Sequence, residues 1–445
     1  MRAIAVPFIT SKKMNDLTHP IRNIAPSLGL QSALKLVEPE IFTFDNGLNV
    51  YAFHDSSMRA FRFDLIFRAG SAWHPQPLAA SSTLGMLPEG TAMHTAGRLS
   101  AKIEYHGANL YHMTTKDFAF LSLECNDKSF HRLLPLVCEM IEYPTFPQRY
   151  FKLYLKGKKH EFQQNSQKGQ HLASRHFNAG LFGAMTPYGK LATEADFDLL
   201  NIEILRDFHR DFFIPKTSFL ILSGNITPKI IEIIQQNLGM WISEASIPVD
   251  FLQQTDFQPG KEFIFKDNAQ QSSIVVGRPV MERNHPDYFG FLVLNTLLGG
   301  FFGSRLMLNL REDKGYTYGI SSRVSPLLKA TGFSISTEVG NSVTRQALEE
   351  IHRELNRLMD QPVGEEELQT VKNYLNGIYL HALDGVFNQA EKFKSLIGTG
   401  FDMSYYLKSL AAIQETTISD IQRLAQKYLN PEQMLTVVVG KESID

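Results

Sequence analysis

Asp211-Phe212-Phe213-Ile214-Pro215-Lys216-Thr217-Ser218-Phe219-Leu220-Ile221-Leu222-Ser223-Gly224 has a counterpart near the C-terminus, Lys427-Tyr428-Leu429-Asn430-Pro431-Glu432-Gln433-Met434-Leu435-Thr436-Val437-Val438-Val439-Gly440. Pro215 and Pro431 stand 216 residues apart, and so do Gly224 and Gly440. Each stretch follows an amphipathic helical pattern that ends in an aromatic turn. Each then runs proline, two polar residues and a buried-looking strand. Matching spacing at both ends of a motif is the mark of internal duplication.

Working outward, a second correspondence appears. Phe118-Ala119-Phe120-Leu121-Ser122-Leu123-Glu124 alternates as a strand and precedes a helix over Phe130 to Ile141. Gly332-Phe333-Ser334-Ile335-Ser336-Thr337-Glu338 does the same before a helix over Thr344 to Leu358. Proline turns follow, at Pro144 and Pro147 and at Pro362, and then a long helix. Two tandem domains are therefore expected: residues 1–243, a polar linker 244–260 containing Pro248 and Pro259, and residues 261–445. Alternating strands grouped around helices predict an α+β class. Each domain would be a mostly antiparallel sheet with helices packed on one face, and the pair would face one another across a cavity.

The bulk numbers fit a folded water-soluble chain of 445 residues, 43% apolar and 20% charged, with 32 Phe to fill its cores. A net charge of −2 gives no reason to expect nucleic acid or an acidic membrane surface as partner. No apolar run reaches the roughly 18 to 20 residues that cross a bilayer. The N-terminal stretch is broken by Pro7 and Thr10-Ser11-Lys12-Lys13 before an apolar leader core can form, which points to the cytoplasm. Cys125 and Cys138 are the only two cysteines; their spacing permits a disulfide, and two reduced thiols is the preferred reading.

Catalytic candidates are defined by what is missing. No H-x-x-E-H or H-E-x-x-H pair occurs. His160-Glu161-Phe162-Gln163-Gln164 begins like the second of these but ends in Gln164, so no i, i+4 histidine pair forms. The remaining histidines have no paired ligand spacing. Gly299, Gly300 and Gly303 lack the Lys-Ser/Thr of a phosphate loop, which excludes nucleotide binding by that route.

Two segments carry a resemblance. Gly299-Gly300-Phe301-Phe302-Gly303-Ser304-Arg305-Leu306, followed by Leu310-Arg311-Glu312-Asp313-Lys314-Gly315-Tyr316-Thr317-Tyr318, resembles the substrate-gripping element in the C-terminal half of pitrilysin/insulinase-type (inverzincin) zinc peptidases. Met86-Leu87-Pro88-Glu89-Gly90-Thr91 resembles the landmark that follows their H-x-x-E-H helix. Together with the duplication, the resemblance covers roughly Glu40 to Gly440 and is to the bacterial two-domain type. It places Ser81-Ser82-Thr83-Leu84-Gly85 where the histidines and glutamate belong, and Glu161 where the distal glutamate ligand belongs. Hydroxyls are poor zinc ligands and a lone carboxylate cannot hold the ion.

The resemblance implies a zinc-less subunit of a heterodimeric metalloendopeptidase, inactive alone and holding no cofactor of its own. A homologous partner would bring the zinc. Arg311 and Tyr318 would grip the peptide and stabilise the oxyanion, the first as a permanent cation and the second as a phenol donor. Tyr316, two residues away in the same strand, is the local rival for the phenol role. Ala108, Asn109, Leu110 and Tyr111 are expected on an edge strand that pairs with peptide or unfolded polypeptide, and Gly299 and Gly300 in a flexible loop beside the cavity. The alternatives are a scaffold protein of the same fold, or a peptide-binding protein that does not cut.

Overall fold

The computed structural model describes residues 35–441 apart from 252, 254 and 255, so the reading of the N-terminal stretch as lacking a leader lies outside the described residues. Two sheets organise the chain. The first contains β1 (Glu40–Thr43), β2 (Asn49–His54), β3 (Ala60–Phe67), β4 (Asn109–Thr114), β5 (Ala119–Asn126) and β6 (Ser218–Gly224), in the order β1-β2-β6-β3-β5-β4. The second contains β7 (Gly260–Phe265), β8 (Gln271–Val280), β9 (Thr317–Pro326), β10 (Thr331–Gly340) and β11 (Leu435–Gly440), in the order β7-β11-β8-β10-β9. Setting β1 aside, the two orders are identical. Each sheet has one parallel pair, β2 with β6 and β7 with β11, and is otherwise antiparallel.

The duplication extends to individual registers. In the first sheet Arg62 lies opposite Ser223 on one side and Glu124 on the other. In the second, Ser273 lies opposite Val439 and Glu338. Both spacings legible in the sequence, from Ser223 to Val439 and from Glu124 to Glu338, thus end in the same cross-strand row.

Helices follow in matched series. The first half has α1 (Ala79–Met86), α2 (Ala96–Tyr105), α3 (Asp127–Glu142), α4 (Gln148–Ser166), α5 (Gly169–Phe182), α6 (Glu194–Leu199), α7 (Ile202–Phe212) and α8 (Pro228–Leu238). The second has α9 (Tyr288–Asn295), α10 (Thr344–Asp360), α11 (Glu365–Ala382), α12 (Val386–Lys394), α13 (Ser404–Glu415) and α14 (Ile418–Tyr428), with π-helical turns at Thr296–Gly300 and Met307–Asp313. Sequence-coded caps start several of them: Asn126 accepts the Ser129 N–H at 2.8 Å and Asn201 the Ile204 N–H at 3.0 Å. Thr417 and Asp420 close a capping box on α14.

Each sheet buries one face under its own helices. The first core is a phenylalanine cluster in which Phe61 meets Phe130 at 4.4 Å and Phe67 meets Phe213 at 4.3 Å between ring centroids. Cys125 and Cys138 are both free and fully buried in it, and burial pushes the Cys125 thiol up to about 12.

The helices are exchanged between halves. α5 packs on β8 and β11 of the second sheet, while α12 packs on β2 and β6 of the first. The second sheet takes Phe177 and Leu181 of α5 into a cluster with Val275, Val437 and Val439. α12 lays Phe393 against Tyr51 and Phe53, at 4.8 and 5.4 Å between centroids. The faces opposite the main helical layers are therefore partly covered, each by the other half. Asp117 and Tyr188 add a buried hydrogen bond at this junction, where Asp117 also accepts the Leu328 N–H at 3.1 Å. Between α12 and the first sheet lie cavities of about 470 and 360 Å³.

Candidate functional site

The helix expected to carry zinc ligands is α1, and its chemistry is closed to metal. Ser82, Thr83, Leu84 and Gly85 are buried, with Leu84 in the first core. A Cβ on Gly85 would fall 2.9 Å from the Tyr154 ring, and the Tyr154 hydroxyl donates to the Ser81 carbonyl at 3.2 Å. The ring of α4 thus stands against the helix at the position where a histidine side chain would begin. Glu161, further along α4, lies 2.8 Å from Lys158, and this bond holds its carboxyl below the usual range. His160 is bonded to Gln164 at 2.9 Å, so the near-miss motif closes on itself. Among the described residues no group of three His, Cys, Asp or Glu side chains converges to hold a metal ion. These donors do not fit zinc, and no step through a metal on this chain follows.

What stands there instead is a cavity of about 360 Å³ walled by α1, α4, α5 and β4. Ser81, His112, Tyr154, Lys158, Glu161 and Arg175 contribute to it. Burial, and then the charge of Lys158, push the His112 imidazole below its ordinary value. Sequence reading passed over Arg175; the only signal was its i, i+4 spacing from His171 on α5.

β4 occupies one end of the first sheet, so its outer edge has no partner strand among the described residues. Asn109 and Tyr111 are exposed there, Leu110 packs on the first core, and Ala108 is buried just before the strand. The expected edge strand exists.

In the second half, β9 is the corresponding edge, and the turn carrying Arg311 packs against it. Gly315, at φ +67°, ends that turn in the left-handed conformation glycine tolerates best. The Lys314 N–H then reaches the Asn309 carbonyl and the Tyr316 N–H the Leu310 carbonyl, both at 2.9 Å. The Arg311 guanidinium lies 4.6 Å from the Phe302 ring and its Nε 3.4 Å from Glu312, with more than a third of the side chain exposed.

Tyr318 sits on a bulge. Thr337 pairs with Ile320 and Val339 with Thr317, so Tyr318 and Gly319 together oppose Glu338. Thr317 pins the bulge by accepting the Gly319 N–H at 3.0 Å. The Tyr318 side chain is consequently 92% exposed and has no hydrogen-bond partner among the described residues. Tyr316, by contrast, packs against the second core. The rule that residues two apart share a face fails here because β9 begins at Thr317 and bulges at once.

Gly299 and Gly300 lie in the first π-helical turn rather than an open loop. A Cβ on Gly299 would meet the Ser322 N and Oγ at 2.8 Å, so this glycine lets the turn approach β9 closely. Gly300 is exposed at the turn's end.

Against known proteins, residues 200–375 match the model of the peptidase M16 inactive domain. Over 86% of its length the chain is 21% identical to the uncharacterized zinc protease YmxG of Bacillus subtilis, covering 94% of that protein. It is also 24% identical, over 38% of its length and 39% of the relative's, to the probable inactive metalloprotease YmfF of the same organism. The peptidase M16 inactive domain from Pseudomonas fluorescens shares the fold, with a TM-score of 0.84 at 23% identity, over 91% of this chain and 98% of that one. So does a protease from Helicobacter pylori, with a TM-score of 0.84 at 18% identity, over 91% of this chain and all of that one.

The chain is similar to the M16 peptidases, by the inactive-domain match over residues 200–375 and by fold along most of its length. The chain carries no H-x-x-E-H, and a tyrosine ring abuts the helix where the resemblance would place the motif. The fold is shared with those structures, and the α+β class read from the sequence is the class observed.

Proposed function

We propose that this chain is the non-catalytic subunit of a two-subunit zinc endopeptidase. A homologous partner carries the zinc, and this chain supplies Arg311 and Tyr318 for peptide binding and oxyanion stabilisation there. The observation that carries the reading is the exposed Tyr318 phenol on a bulge of an edge strand, beside the turn that bears Arg311. A free phenol costs nothing in lost internal bonds when it turns to a ligand, and the Phe302 ring restrains the guanidinium without neutralising it. Unfolded polypeptide is the natural substrate, since main-chain pairing at β4 would accept any sequence. Residues 1–243, 244–260 and 261–445 then act as peptidase-like half, connector and gripping half. No described helix is long and apolar enough to cross a membrane, and free buried thiols suit the cytoplasm, where we place the pair.

The test is reconstitution. The purified chain is mixed with zinc-bearing M16 relatives from the same source and assayed on unfolded peptides. Cleavage by the mixture and by neither component alone is the expected result. One equivalent of zinc in this chain alone, or cleavage by it alone, would overturn the proposal.

A further inference from the structure

The cavity over α1 lies beside the helix where the resemblance would put zinc ligands, yet its own charge is net positive. Besides the Tyr154 phenol, its ionisable lining comprises Lys158, Arg175, Glu161, His112 and His171. Glu161 is matched by Lys158 at 2.8 Å. Arg175 has no carboxylate partner among the described residues: its guanidinium donates to the Ala192 carbonyl and lies 5.0 Å from the Phe162 ring. A guanidinium offers five N–H donors, so a second acceptor can be taken without breaking the first bond. The histidines register the local field. Burial lowers both imidazoles, and the nearby cations lower them further, Lys158 acting on His112 and Arg175 on His171.

The mouth of the cavity is equally specific. His112, Met113 and Thr114 of β4 line it, and the outer edge of β4 is the unpaired edge of the sheet. The cavity lies at the C-terminal end of β4, so an extended chain added parallel to that strand would lead its C-terminal end into it, where the unmatched guanidinium waits. A volume of about 360 Å³ is within the range of small-ligand pockets.

We propose that this cavity binds a carboxylate, supplied by the free C-terminus of an extended peptide whose last residues pair with β4. Arg175 is the main contact of this anion site and Lys158 its second. Charge-assisted bidentate contact to a carboxylate suits Arg175. The site acts on this chain alone and does not rest on the subunit reading.

Calorimetric titration of the full chain tests it with three probes: an acetylated heptapeptide of alternating Thr and Val ending in a free carboxylate, the same peptide amidated, and sodium acetate. The acid peptide is expected to bind at least about tenfold more tightly than the amide, with acetate competing only weakly. Arg175→Gln should bring the acid down to the level of the amide. Lys158→Gln, at an exposed position that leaves the fold intact, should narrow the difference. Equal binding of acid and amide, no binding of either, or an acid-to-amide ratio unchanged in both variants would overturn the proposal. Acetate binding as tightly as the acid peptide would overturn the strand-pairing part and leave a site for a free small carboxylate. Arg345→Gln, on the exposed face of α10 away from the cavity, should leave all three titrations unchanged, and cleavage by the reconstituted pair is read separately, which separates this result from the fate of the subunit reading.

Discussion

Lys394 Nζ lies 2.7 Å from Asp64 Oδ1, a nearly buried ion pair between residues 330 positions apart that joins α12 of one half to β3 of the other. Arg62, 3.1 Å from Asp64 and 2.6 Å from Glu391, and Ser122, which donates to Asp64, complete the network. Removing one member of a buried pair strands the other, which typically costs 3–5 kcal/mol. Arg62 and Ser122 remain beside Asp64, so Lys394→Met should cost about 3 kcal/mol, at the lower end of that range. Urea unfolding of the variant checks this. The double variant Asp64→Leu, Lys394→Met should recover most of the loss; if it is as unstable as the single variant, the pair is not what Lys394 contributes.

Arg311→Ala in the reconstituted peptidase should lower kcat by about 10²- to 10³-fold, the usual effect of deleting an oxyanion donor. Tyr318→Phe should act in the same direction while leaving thermal stability unchanged, because its phenol is exposed. Turnover unaltered by either substitution would favour a scaffold role for this chain.

Gly85→Ala should destabilise the protein by about 1–3 kcal/mol, since its Cβ meets the Tyr154 ring. The remedy lies in the neighbour. Tyr154→Ala costs stability alone, but in the double variant the two losses should add to less than their sum, as expected for residues in contact. Strict additivity in denaturant titrations would refute the clash.

His209 should make the protein acid-sensitive. Burial lowers its imidazole to about 4, only partly opposed by the bond from its Nε2 to the Ile141 carbonyl at 2.7 Å. The unfolded chain, with a histidine near 6.5, binds the proton first. Stability is therefore full above about pH 6.5 and falls as pH drops toward 4, by at most about 3 kcal/mol. His209→Gln should flatten the stability profile between these limits. A profile as steep as the parent's would assign the acid response to other groups.

Much of this fold was legible because duplication leaves a length signature. Ser223 and Val439, like Glu124 and Glu338, end in the same cross-strand row of their sheets. The edge position of β4 was expected from the resemblance of the stretch from Tyr105 to Thr114 to the family's edge strand, and the hydroxyl and apolar side chains from Ser81 to Gly85 could be read directly. What escaped was long-range. The apolar face of α5 announces burial but does not say which sheet will receive it, and nothing near Lys394 in sequence points to Asp64. The bulge at Tyr318 also escaped, because Thr317 fixes it through its side-chain hydroxyl bonding nearby backbone, which leaves no periodicity to read. Tyr154 looked like any amphipathic helix residue, and only its distance from Gly85 gives it meaning.

The exchange of α5 and α12 makes the two halves a mutual clasp. Each lends the other a helix, so the segment that ties them together is not what keeps them together. A protease that nicks this chain near Val249 should leave a single particle of unchanged mass in solution, coming apart only when both lent helices let go.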